Sequence, residues 1–162
     1  MKTCRWKGIS TLTACVIALS ANAADGLPGK QWQFDVALDD KPIGSHTFEL
    51  QHDGEKQVLT TEASFDVKFL FVTAFRYRHQ NTEIWNDGCL ASIDASTDSN
   101  GDQFDVRGET GDGSFDLLSE KGSMALPGCV QTFAYWNPAI LESKKLLNSQ
   151  TGAYEDVTVT LE

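Results

Sequence analysis

Apolar and polar residues alternate with a period of two along most of this chain, and Gly- and Asp-rich turns interrupt them at short intervals. In TTEASFDVKF, Thr61, Ala63, Phe65, Val67 and Phe69 fall on one side, with Glu62, Ser64, Asp66 and Lys68 on the other. Successive side chains of a β-strand point to opposite faces, so this is the pattern of a strand with one buried face. Trp32, Phe34, Val36 and Leu38 read the same way, as do His46, Phe48 and Leu50, with LDDKPIG and the Asp-Gly pair of HDGE as turns. Downstream, FRYRHQNTEIW, CLASIDA, QFDVRGE and SFDLLSE are separated by NDG, DSNGD and TGDG. Short strands broken every 8 to 12 residues or so predict a mainly β fold: an antiparallel meander forming a curved sheet, a half-barrel or a sandwich. One short helix is expected near the C-terminus, with Asn137 as cap, Pro138 in the first turn and AILESKKLLN as its body. AYEDVTVTLE then returns to strand character.

The first residues carry Lys2, Arg5 and Lys7, then the apolar run ISTLTACVIALS, then the small residues Ala21 and Ala23. That order is the order of a secretory leader, residues 1–23, cleaved after Ala23 and followed by a single β-rich domain over 24–162. Its apolar part is too short to span a bilayer. LTAC, Leu12 to Cys15, resembles a lipoprotein box, but the apolar run continues past Cys15 as VIALS, where such a leader turns polar. The expected location is therefore exported and periplasmic, without lipidation. The formal charge is −10, and the leader holds three cations and no acid, which leaves −13 on the 139 residues that follow. Acidity on this scale argues against nucleic acid and against anionic membrane surfaces as partners. No later segment is apolar enough for a transmembrane helix.

Two of the four cysteines, Cys4 and Cys15, fall in the leader, which leaves Cys89 and Cys129. In an oxidising compartment such a pair is most simply a disulfide, here closing a loop of about 40 residues. The chain-entropy model gives that bridge roughly 3 to 4 kcal/mol. Zinc is the alternative, but His46, His52 and His79 sit on separate elements with no HxH or HxxxH spacing, so no metal site is expected. Asp98, Asn100, Asp102 and Glu109 fall at calcium-loop positions, yet Gln103 stands where that loop needs glycine, and Asn100-Gly101 is a strong hairpin signal in its own right. GETGDG lacks the helix and lysine of a phosphate loop. No GxSxG or SxxK is present, and no cofactor motif.

The strand FRYRHQNTEIW has the most distinctive composition. Phe75, Tyr77, His79, Asn81, Glu83 and Trp85 share one face, and Arg76, Arg78, Gln80 and Thr82 the other. Turned inward, the first face lines a polar-specific ligand pocket between aromatic ends; turned outward, it is a sheet surface with cross-strand charge pairs. His79 and Glu83 stand about 13 Å apart on a strand, too far for a direct acid–base pair. FLFVTAF, Phe69 to Phe75, breaks the alternation and reads as a buried corner or as an apolar loop offered to a ligand. In TFAYWNP, Phe133 and Tyr135 share one face, with Trp136 opposite and covering the start of the short helix.

TEASFDVKFLFVTAFRYRH, EIWNDGCL, and GCVQTFAYWNP followed by LLNSQTG resemble an uncharacterised bacterial family catalogued as domain of unknown function 6134. The likeness runs from about Trp32 to Tyr154, with TFAYWNP and LLNSQTG as its most specific part. The resemblance implies an exported, single-domain, mostly β-strand protein in a genomic context of membrane-lipid modification. It assigns no activity and no catalytic residue. The favoured reading is a periplasmic binding or carrier module for an apolar or amphipathic small molecule, with Phe69, Phe71, Phe75, Tyr77, His79, Asn81, Glu83 and Trp85 as candidate ligand contacts. A protein-interaction or structural domain is the alternative. A second alternative is an enzyme or enzyme accessory acting on an envelope lipid or related metabolite, with His79 and Glu83 as its candidate residues and no catalytic motif behind it.

Overall fold

The computed structural model describes residues 29–160; the leader, its cleavage after Ala23 and the lipidation alternative at Cys15 lie outside the described residues. Eight strands follow one another: β1 (Gly29–Leu38), β2 (Lys41–Asp53), β3 (Lys56–Phe69), β4 (Val72–Asn86), β5 (Cys89–Ser99), β6 (Asp102–Thr110), β7 (Ser114–Ser119) and β8 (Gly122–Pro127). Each pairs antiparallel with the next, giving one meander in chain order. Among the described residues β1 and β8 do not pair, so the sheet stays open. No helix among them is long and apolar enough to cross a membrane.

Turn chemistry sets the hairpins. Asp39-Asp40, Asp87-Gly88 and Asn100-Gly101 all take positive φ at both central positions, the conformation that matches the right-handed twist of the flanking strands. The calcium-loop candidates of Asp98 to Glu109 make up the β5–β6 hairpin, where Asp98 Oδ1 accepts from the Gly101 amide at 2.8 Å. At the end of β3, Leu70 adopts φ 57°, a left-handed conformation that a leucine rarely takes. Register shifts between Val36 and Ala37, Val67 and Lys68, and Ile84 and Trp85 insert single extra residues, which locally increase twist and bend. At Gly44, β2 and β3 approach so closely that a Cβ would collide with the Ser64 carbonyl.

Because pairing is regular, alternation propagates into rows across one face. One row runs Trp32, Phe48, Thr61, Asn81, Ala95 and Val106; the next runs Leu50, Leu59, Glu83, Ile93, Gly108 and Leu117; a third runs Phe34, His46, Ala63, His79, Thr97 and Phe104. The opposite face is polar, with Arg78 forked onto Asp66 at 3.0 Å to each oxygen and Arg107 3.6 Å from Asp94.

The chain beyond β8 returns over the apolar face and covers it. Cys129 is bonded to Cys89 at the start of β5, the Leu90 amide donates to the Val130 carbonyl, and Val130, Ala134 and Leu147 join the core around Trp85, Leu90 and Phe115. The expected helix is a 3-10 turn only, Pro138–Glu142, with Asn137 Oδ1 accepting from the Ala139 amide at 3.1 Å. KKLLN is not helical. It forms β9 (Lys145–Leu147), which pairs with β10 (Tyr154–Asp156) and makes a parallel bridge from Leu147 to Thr132. Consecutive burial of Leu146 and Leu147 between these neighbours outweighs local helix propensity. Among the described residues of AYEDVTVTLE, strand character is limited to β10 (Tyr154–Asp156). TFAYWNP does not alternate as a strand either: Tyr135 is 79% exposed, and Trp136 packs edge-on against Trp85 at 5.4 Å between centroids.

Candidate functional site

Between the rows of β1–β4 and the covering segment lie two adjoining hollows. The first, about 250 Å³, is apolar and is walled by Trp32, Phe34, Phe48 and Trp136. The second, about 270 Å³, begins at the same Phe48 and Leu59 and ends on Thr61, His79, Asn81, Glu83 and His46, with Asn148 to Gln150 at its rim. Phe133, Ala134 and Tyr135 roof both. The two form one cleft, greasy at the β1 end and polar over β4. An aromatic file continues along the sheet: Phe34 meets Phe48 edge-on at 6.0 Å, the His46 ring lies 4.2 Å from that of Phe48, and Phe65 stacks on Tyr77 at 5.3 Å.

The polar end is built around Glu83, which is 2% exposed. Asn81 Nδ2 donates to its Oε1 at 2.9 Å; Trp85 Nε1 and Thr132 Oγ1 donate to its Oε2 at 3.0 and 3.2 Å. Burial raises its pKa, and these three bonds only partly oppose the rise. Burial lowers His79 to about 4, helped by the nearby His46, while the His79 Nδ1 and Thr97 Oγ1 share a hydrogen bond of 2.9 Å. Burial also lowers His46 and pushes the Tyr77 phenol up to about 12. At neutral pH both imidazoles are therefore uncharged. Among the described residues, neither hollow is lined by a lysine or arginine. Among the described residues, four buried polar atoms have no partner: His46 Nε2, Tyr77 Oη, Asn81 Oδ1 and Trp136 Nε1. His46 and Asn81 line the polar hollow, and Trp136 the apolar one.

The eight candidate contacts separate into two groups. His79, Asn81 and Glu83 line the polar hollow; Trp85 packs against Trp136 and lines neither hollow, and Tyr77 stands further along the same face. Phe69, Phe71 and Phe75 belong instead to the β3–β4 hairpin end, where Phe69 is 72% and Phe71 99% exposed. FLFVTAF is thus an apolar tip, not a buried corner. Sequence reasoning missed Trp32, Phe48 and Leu59 as cleft walls, together with Thr132, Trp136 and Asn148–Gln150. The first three were legible as inward strand positions. The others lie in TFAYWNP and LLNSQTG, whose place against β4 only the tertiary structure supplies.

Chemically the cleft can hold an elongated molecule and read one polar end. His79 and Glu83 have no hydrogen bond to each other, and no cluster of three or more metal-ligating side chains occurs among the described residues. A family model described as a domain of unknown function, DUF6134, matches residues 34–162. No curated protein and no solved structure matches the chain.

Proposed function

The chain belongs to the DUF6134 family, whose description assigns no activity, and we propose that it is an exported, periplasmic binding or carrier module for an amphipathic small molecule of the bacterial envelope. The carrying observation is that an aromatic hollow shares Phe48, Leu59 and Phe133 to Tyr135 with a second one lined by His46 and Asn81, two residues that hold unpartnered polar atoms. Apolar walls with a few fixed polar groups are the usual make-up of a small-molecule site. The leader-like first 23 residues and the disulfide, a bond that persists in oxidising compartments, support export.

Native mass spectrometry with lipid extraction, on protein purified from the exported fraction, tests the reading. A stoichiometric apolar or amphipathic adduct is expected. An adduct-free protein that also takes up nothing from an extract of its own envelope overturns it. The exposed tip of Phe69, Leu70, Phe71 and Val72 favours a second reading, a protein-interaction domain, because contiguous apolar surface of this kind marks contact sites.

A further inference from the structure

The two histidines facing the polar hollow are held in their uncharged form and each oxygen of Glu83 already accepts a hydrogen bond, and that restricts what the cleft can receive. His79 is buried and His46 half-buried, both neutral, and Glu83 accepts from Asn81 at one oxygen and from Trp85 and Thr132 at the other. An anionic head finds no lysine, arginine or imidazolium among the lining residues. A primary ammonium finds no free carboxylate oxygen, and a quaternary one cannot donate to the unpartnered atoms. Two of those atoms point to what does fit. Asn81 is 4% exposed and its Oδ1 is unpartnered; His46 Nε2 is unpartnered two strands away, in the adjoining row that runs through Ala63 to His79. Rotating the Asn81 amide would present its NH2 group, and the tautomer of His46 decides whether Nε2 donates or accepts. A hydroxyl both donates and accepts, so it satisfies either arrangement.

We propose that the cleft selects an uncharged, hydroxyl-bearing amphiphile: its head lies against Asn81 and His46, and its alkyl or prenyl tail passes Phe48 into the hollow of Trp32 and Trp136. This rests on the binding-module reading above. The head class follows from hydrogen-bond matching and the lack of a counter-charge, and the direction of the tail from the separation of the apolar and polar walls.

The test is equilibrium binding of a decyl series to the purified protein at pH 7.5, followed by the emission of Trp32 and Trp136. The ligands are monodecanoylglycerol, decanoate, decyl phosphate, decyltrimethylammonium and n-decane. The glyceride should bind at least about tenfold more tightly than each charged ligand and more tightly than decane, since it alone pairs the buried polar atoms while introducing no charge. His46→Leu and Asn81→Leu should each shrink its advantage over decane while leaving decane binding in place. If Asn81→Leu does not fold, His46→Leu and the native ligand ranking still decide. A charged ligand that binds as well as the glyceride, a glyceride no better than decane, or an advantage untouched by the variants overturns the head assignment and leaves the cleft as a binding site. Silence across the whole series, decane included, overturns the binding-module reading and this inference with it.

Discussion

Glu83 accepts from three neutral donors and takes part in no ion pair among the described residues, so burial prevails and its carboxyl keeps its proton above the ordinary range. An acid raised in the folded state stabilises most below its unfolded value, near 4.5, and loses that contribution as pH rises through the folded value. Glu83→Gln keeps the shape of the protonated acid, with the Asn81 amide rotated to accept. Its stability relative to the native protein should grow by about 1.4 kcal/mol per pH unit between the two values. Urea unfolding of both proteins at pH 4, 6 and 8 measures this, and a difference that does not change with pH would count against a raised carboxyl. His79 has the opposite sign. It is neutral in the fold down to about 4, against 6.5 when unfolded, so its contribution is complete above 6.5 and is lost as pH falls from 6.5 to 4. The loss should be on the order of 3 kcal/mol. Since Glu83 works against it in the same interval, the native-minus-His79→Gln difference is the quantity to follow, and it should narrow on acidification.

The β3–β4 hairpin shows what a strand pair looks like once it projects past its sheet. Phe69, Leu70, Phe71 and Val72 are all exposed, and Leu70 holds a left-handed backbone with no packing to compensate. That conformation costs a residue with a Cβ about 1 to 2 kcal/mol, and glycine almost nothing. Leu70→Gly should therefore raise stability by roughly 0.5 to 1 kcal/mol after glycine's greater unfolded-state entropy is allowed for. Phe71→Asp should leave it within about 0.5 kcal/mol. Thermal unfolding at one pH compares all three proteins, and a large loss for Phe71→Asp would reveal burial that the fold does not show. The strands themselves were legible because a period of two survives in the paired segments from Trp32 to Leu118 outside the β3–β4 tip. FLFVTAF broke the period because a tip has no buried face to keep. KKLLN misled for a different reason: a capped Asn-Pro start is a local signal, whereas pairing of Leu147 with Thr132 and Tyr154 is decided by distant chain.

The whole molecule is an open sheet whose apolar face is closed by its own C-terminal segment, and the cleft exists only where the two fail to meet. This explains why half of the candidate site could be read in advance. Tyr77 to Trp85 carry their facing in their spacing. Thr132 and Trp136 reach β4 from about 50 residues downstream, Asn148 joins the polar hollow from further still, and nothing local in their sequence says so. The disulfide anchors this arrangement at one point, joining Cys129 to the β4–β5 turn, from where the covering segment runs by way of the Leu90–Val130 and Leu147–Gln131 hydrogen bonds to the Thr132–Glu83 contact. Replacing both cysteines by serine frees a loop of 40 residues and should cost about 3 to 4 kcal/mol. The loss should be uneven. β3 and β4 retain their full pairing, so their central amides should keep slow hydrogen exchange, while the Leu90 and Leu147 amides, which depend on the covering segment, should exchange faster than in the native protein. The contact of Trp136 with Trp85 should weaken with them, lowering near-UV dichroism while far-UV dichroism persists. A uniform acceleration of every slow amide would instead make the sheet and its cover a single cooperative unit, in which the cleft opens only by global unfolding. Selective acceleration at the cover would make the covering segment a unit that opens independently of the sheet.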